Sequence, residues 1–302
     1  MSTSTGEVEW EGHRTWYRVD GPLEADDPDA PAPLVCLHGG PGVPHDYIES
    51  LAELHAETGR TVILYDQLGC GRSEHLPDAD PGFWTVDLFK HELERVLEAL
   101  GVAGGYHLLG QSWGGMLAME HAIDQPAGLL SLVIANSPPS MDLWVREANR
   151  LREALPAEVQ ATLLRHEADG TTDDPAYEEA MMAFYERHVC RLPQPWPDEV
   201  QRSFAALAED PTVYRTMNGP SEFHVIGSLS GWDATPRLGA IEVPCLVVSG
   251  EFDEATPAVI APLVAGLADV RSLVVDGTSH LTHVEAPDRF RPHVASFLAE
   301  HD

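Results

Sequence analysis

At 302 residues the chain is long enough for one large domain, two modest ones, or one domain with an insertion. Apolar residues make up 43% and charged residues 22%, and no run approaches the 18 or more apolar residues of a membrane span, so a soluble protein is expected. A formal charge of -31, with Lys90 the only lysine, repels nucleic acid and anionic membranes and excludes both as partners; such acidity serves solubility or adaptation to high salt. The first seven residues are polar and acidic without a basic flank or apolar stretch, so no secretory leader is expected. Cys36, Cys70, Cys190 and Cys245 lack metal-binding spacing, and Cys36 and Cys245 lie inside apolar runs as small hydrophobes. A reducing, cytoplasmic setting suits them.

In chain order, residues 7–10 and 15–19 flank Glu11-Gly12-His13 and predict an antiparallel hairpin at a sheet edge. Short β-branched and aliphatic runs follow at 34–37, 61–65, 107–109, 129–135, 245–249 and 272–275, alternating with helical patterns. That order predicts an α/β fold, a mostly parallel sheet flanked by helices. Residues 88–100 put Leu93, Val96, Leu97 and Leu100 on one face and stop at Gly101, the pattern of an amphipathic helix. From Pro138 to about Arg237 the strand signal gives way to helical stretches at 143–155, 157–166, 177–190 and 198–208, separated by Pro, Gly and Asp. Strand character resumes at Val243. A core of residues 1–137 and 238–302, interrupted after its sixth strand by a helical cap of residues 138–237, explains the order better than two successive domains.

Gly110-Gln111-Ser112-Trp113-Gly114-Gly115 sits between the run 106–109 and the helical stretch 116–123. Gly-x-Ser-x-Gly alone recurs by chance in roughly one chain of this length in ten, so context discriminates. A serine on a tight strand-to-helix turn exposes its hydroxyl, needs small neighbours, and has a helix N-terminus behind it to stabilise an anion. Upstream, the run 34–37 ends in His38-Gly39-Gly40-Pro41-Gly42. A tetrahedral intermediate needs two N–H donors, which the backbones of Gly40 and Trp113 can offer. A phosphate-cradling loop would end in Gly-Lys-Ser/Thr, which is missing. His38 is expected to organise the loop.

Fifteen histidines compete for the role of base, and position decides. His280 follows the last strand run and precedes the final helix, where the order Ser, acid, His requires it; His283 is the rival. Asp253, just past the run 245–249, is the candidate acid, ahead of Glu251 and Asp66, because α/β sheets collect functional residues at the carboxyl ends of their strands. A serine in the turn excludes haloalkane and epoxide chemistry, which needs a carboxylate there.

Together with Asp66-Gln67-Leu68-Gly69-Cys70-Gly71-Arg72-Ser73 and Met217-Asn218-Gly219-Pro220-Ser221-Glu222-Phe223, these motifs resemble the proline iminopeptidase family of α/β-hydrolases. They are most similar to the branch holding the tricorn-interacting aminopeptidase and certain L-amino acid amidases. The resemblance runs from about residue 30 to the end. It implies an α/β-hydrolase fold and a serine aminopeptidase that releases proline, or another small or hydrophobic residue, from the N-terminus of short peptides through an acyl-enzyme. It implies no metal or organic cofactor. Glutamates hold the free amino group in that family, and Glu222 and Glu254 stand at the matching places. Gln67 to Ser73 departs from the commonest form, Arg-Gly-x-Gly-x-Ser, which broadens the expected specificity beyond proline. Phe223, Trp232 and Tyr185 are candidates to line the side-chain pocket, the alternative being a place in the core, where most cap aromatics belong. The alternatives are an L-amino acid amidase or esterase on the same fold and, from another class, a non-catalytic binding protein.

Overall fold

The computed structural model describes residues 3–23 and 30–302. Strands β1 (Thr3–Trp10) and β2 (His13–Asp20) pair antiparallel across a two-residue turn, Glu11-Gly12, with φ of 49° and 91°. Two consecutive positive φ values give the strand-compatible type I′ geometry, which glycine tolerates readily. His13, expected in the turn, is therefore the first residue of β2. The remaining strands are β3 (Leu34–Leu37), β4 (Val62–Tyr65), β5 (Tyr106–Gln111), β6 (Leu129–Ala135), β7 (Cys245–Gly250) and β8 (Val270–Val275). They form one sheet in the order β1-β2-β4-β3-β5-β6-β7-β8, parallel from β4 to β8.

The period-two alternation of each strand sends side chains to opposite faces. Val35, Leu37, Ile63, Leu108, Leu132 and Val247 pack on one face against Leu93, Val96, Leu117, Val259 and Leu263. Those partners come from helices α2 (Val86–Ala99), α3 (Trp113–Ile123) and α9 (Pro257–Gly266). Leu34, Cys36, Val62, Leu109, Val133 and Val248 pack on the other face against Leu51, Leu54, Phe290, Val294 and Phe297. Here the cover is a 3₁₀ segment (His45–Ala52), α1 (Glu53–Thr58), the short α10 (Thr282–Glu285) and α11 (Pro287–Ala299). With both faces covered, β3 to β7 carry near-continuous apolar runs, which is why the sequence displays them.

Between β6 and β7 lie α4 (Met141–Arg152), α5 (Ala157–Asp169), α6 (Pro175–His188), α7 (Asp198–Glu209), α8 (Thr212–Met217) and a 3₁₀ turn (Thr235–Ala240). Their boundaries follow local chemistry. Asp174 caps α6 through the Ala176 N–H with Pro175 in its first turn, and α5 stops at Gly170, whose φ of 66° is left-handed. Helix α6 thus starts two residues before the apolar pattern does. Its far end reaches the loop after β8, where the N–H groups of His280 and Leu281 donate to the carbonyls of His188 and Val189 at 3.1 and 2.9 Å. No helix among the described residues is long and apolar enough to cross a membrane.

Chain order reverses around β3: the connection from β3 runs outward to β4, and that to β5 returns on its other side. A crevice opens at the carboxyl ends of strands at such a switch point. The loops after β3, β5, β6, β7 and β8 all emerge there.

Candidate active site

Ser112 follows β5 directly and stands before α3 with φ 55° and ψ -123°, a strained conformation for a residue with a side chain. The surrounding glycines are steric necessities. A Cβ on Gly110 would lie 2.1 Å from the Gly114 carbonyl oxygen, and one on Gly114 would lie 2.2 Å from that of Leu37. Only hydrogen fits at either place, so the turn brings α3 down onto β5 and β3 and leaves the serine at the crevice.

His280 reaches the same crevice from the loop after β8, and its Nδ1 lies 2.9 Å from Oδ1 of Asp253, which comes from the loop after β7. Because a carboxylate only accepts, Nδ1 carries the proton and Nε2 is left as the basic nitrogen. The imidazole rests edge-on against Trp144, with ring centres 5.6 Å apart. Asp253 is almost wholly buried and accepts further hydrogen bonds from the Ala255 N–H at 2.9 Å and from Asn136 Nδ2 at 2.6 Å. Asn136 closes β6 in the left-handed region, φ 52°, and its amide also donates to Thr282 Oγ1 at 2.9 Å.

The rivals are occupied elsewhere. Buried His283 donates from Nε2 to the Tyr47 carbonyl at 3.0 Å, and desolvation pushes its pKa down to about 4. Asp66 accepts from the His45 ring at 2.7 Å and from the His45 and Arg72 N–H groups at 2.9 Å each. Glu251 accepts from the Gly277 N–H at 2.8 Å. His38 takes the organising role: Nδ1 donates to the Gly39 carbonyl at 3.0 Å while Nε2 accepts from the Gln67 N–H at 2.9 Å. Burial lowers its pKa to about 4, which keeps that donor–acceptor pattern in place. Gln67 in turn accepts from the Trp113 indole at 2.8 Å. Among the described residues no group takes the backbone N–H of Gly40 or of Trp113, and the latter, at the first position of α3, has no partner within its own helix.

A cavity of about 520 Å³ contains Gly40, Ser112 and His280 on its wall and extends under α6, α7 and α8 past Met181, Tyr185, Phe204 and Leu207. Glu222 and Glu254 line it as well. Tyr214 Oη donates to Glu222 at 2.6 Å. Glu254 is fully buried, 3.8 Å from His280 Nδ1, and neither of its carboxylate oxygens has a hydrogen-bond partner. Burial first, then the nearby charges of Glu222 and Asp253, push its pKa well above the usual carboxylate range; burial raises that of Glu222 too. Of the three aromatic candidates for the pocket, Tyr185 is on its wall and the other two are not. Phe223 packs in the core edge-on to Phe184 with centres 5.1 Å apart, and Trp232 turns away to donate to Glu120 at 2.7 Å. The grouping of His45, Asp46 and Glu49 has a metal-like spacing, but Asp66 holds His45 and Arg202 holds both carboxylates.

A model of the alpha/beta hydrolase fold matches residues 32–287. The proline iminopeptidase of Lactobacillus helveticus is 37% identical over 303 residues, covering 100% of both chains. The chain belongs to the proline iminopeptidase family. Among solved structures, the proline iminopeptidase of Mycobacterium smegmatis is 53% identical with a TM-score of 0.90, covering 99% of this chain and 98% of that one. VinJ is 49% identical with a TM-score of 0.95, covering 99% of each. As a member of the proline iminopeptidase family the chain is a hydrolase. The motif reading missed Asn136, Tyr47 and Tyr214, whose importance lies in contacts between distant segments. Asn136 alone carried a signal, its place at the carboxyl end of a strand.

Proposed function

We propose that this proline iminopeptidase family member is a serine aminopeptidase that cleaves an N-terminal proline, or another small or hydrophobic residue, from short peptides through an acyl-enzyme at Ser112. Residues 138–237 act as a cap over a core of residues 1–137 and 238–302, roofing the cavity with α6, α7 and α8. Glu254 is the observation that carries this reading: a buried carboxylate without a donor, facing a cavity shared with a serine and a histidine, asks for a cation. The α-ammonium of a peptide is one. A proline N-terminus has two N–H donors on nitrogen, enough for one to each of Glu222 and Glu254.

With the amino group held there, Ser112 Oγ attacks the first carbonyl while His280 Nε2 takes its proton, and Asp253 stabilises the imidazolium. The N–H groups of Gly40 and Trp113 receive the oxyanion, a role for which their lack of other partners prepares them. Collapse breaks the C–N bond and returns the proton to the departing amine. Water, activated by the same His280, then hydrolyses the ester and frees Ser112. The four free, buried cysteines fit a cytoplasmic setting.

The test compares prolyl, alanyl and leucyl anilides with the matching amides and p-nitrophenyl acetate. Glu254→Gln and Glu222→Gln should each lower kcat/KM for free-amine anilides by at least about 30-fold, since breaking a desolvated charge pair costs about 2–5 kcal/mol. The acetate ester should lose less than about 3-fold by the same reasoning. Equal losses on both classes refute the amino-group role. Faster turnover of amides or esters than of anilides and peptides would make the enzyme an amidase or esterase. Failure of a fluorophosphonate to label Ser112 would leave a binding protein.

A further inference from the structure

Tyr47 lies in the 3₁₀ segment after the β3 loop, and only 4% of its surface is exposed. Its phenol oxygen accepts the Gly39 N–H at 2.6 Å and donates to Gln111 Oε1 at 2.5 Å. Gln111 Nε2 donates to the His280 carbonyl at 3.1 Å. The direction of this chain is unambiguous. A backbone carbonyl only accepts, which orients the Gln111 amide; its Oε1 must then accept, which assigns the phenol proton. The chain touches three loops at the residue beside Gly40, the residue before Ser112, and His280 itself. The backbone of Tyr47 ties in two more elements: its N–H donates to Ser203 Oγ of α7 at 2.9 Å, and its carbonyl accepts from His283.

We propose that Tyr47 is a positioning residue for acyl transfer, its hydroxyl holding the Gly39–Gly40 loop, the nucleophile turn and the base loop in register. This rests on Ser112, His280 and the Gly40 N–H doing the chemistry proposed above. Because the phenol proton is committed to Gln111, Tyr47 acts through the loop. Its removal therefore falls on the transition state, when the oxyanion needs the Gly40 N–H at its exact place, and spares binding of the amino group at Glu222 and Glu254.

The experiment is Tyr47→Phe in the full-length enzyme, with kcat and KM on an alanyl or prolyl anilide, Ki for an aminoacyl boronate that forms a tetrahedral adduct on serine, and Ki for the free amino acid product. Small displacements of reacting groups cost up to about 100-fold, so kcat should fall about 10- to 100-fold. KM and the product Ki should stay within about 2-fold, and the boronate Ki should rise in step with the loss in kcat. A wild-type kcat, with or without a lower Tm, overturns the proposal, as does a loss confined to KM and product binding. Ser112→Ala runs in parallel. If that variant still turns over, the reading of the site falls and this proposal with it; if it is inert while Tyr47→Phe works at the wild-type rate, only the role of Tyr47 falls. Should Tyr47→Phe not fold, Gln111→Met cuts the same chain and must give the same split between kcat and KM.

Discussion

Glu92 on α2 is a buried acid in no ion pair among the described residues, and it links folding to pH. Its Oε1 accepts from Thr15 Oγ1 at 2.5 Å and from the Leu68 N–H at 2.8 Å, while Oε2 is buried without a partner. Desolvation pushes its pKa from 4.5 up to about 8, offset in part by those two donors. The folded chain therefore keeps a proton that the unfolded chain has released. Below about pH 4.5 both states are protonated and the favourable contribution is complete; as pH rises toward 8 it is lost at about 1.4 kcal/mol per unit, and above 8 the loss is constant. The full span is on the order of 5 kcal/mol, an appreciable part of a domain's stability. Glu92→Gln keeps the oxygen that accepts from Thr15 and Leu68 and cannot ionise. Urea unfolding of both proteins from pH 5 to 9 reads the difference, because every other titrating group cancels. The variant should gain on wild type steadily with pH and level off above 8. A difference independent of pH refutes the argument, since it would mean that Glu92 ionises as readily in the folded protein as in the unfolded one.

Asn136→Ala removes the amide donor that Asp253 and Thr282 share, so kcat should fall by about 10-fold or more with KM little changed, as steady-state kinetics on an anilide will measure. Gly110→Ala sets a methyl 2.1 Å from the Gly114 carbonyl and should yield insoluble or unfolded protein, read by circular dichroism. Amine binding needs ionised carboxylates, and the free site raises the pKa values of both Glu222 and Glu254. KM for a free-amine anilide should therefore fall as pH rises through the raised values and climb again once the substrate amine loses its proton near pH 8, whereas KM for a neutral ester should lack the acid limb.

The sheet was legible because parallel strands covered on both faces must be apolar at nearly every position, and 34–37 and 129–135 coincide with β3 and β6. Helix starts were less so. Thr85 caps α2 through the Leu88 N–H, which puts two helical residues, Val86 and Asp87, ahead of the expected start at 88. Helix α8, six residues at Thr212–Met217, is too short to display a period. The candidate residues Ser112, Asp253 and His280 were readable because each follows a strand within a few residues, a one-dimensional property. The same test applied to β6 finds Asn136. Tyr47 and Tyr214 were not readable, because a tyrosine in a 3₁₀ segment or a six-residue helix gives no sign that its hydroxyl meets Gln111 or Glu222. For the same reason composition could not separate Tyr185 on the cavity wall from Phe223 in the core.

Three buried acids show how the number of donors sets the state of a carboxylate. Asp66 accepts from two backbone N–H groups and from an imidazole, and its pKa is lowered despite full burial. Glu92 has two donors on one oxygen and rises to about 8. Glu254 has none and rises well above its ordinary value, with two further carboxylates nearby to add repulsion. Leaving such a group in the core destabilises the fold by at least about 1–3 kcal/mol, and a methionine of similar size would remove that cost. On the proposed amino-group role, a cation entering the cavity would supply the donors that the protein omits, and the deficit in the free enzyme would reappear as affinity for an ammonium group. Binding and stability are then coupled with a definite sign: a free-amine ligand should raise Tm in the wild type and have far less effect in Glu254→Gln, whose neutral amide has no charge left to compensate.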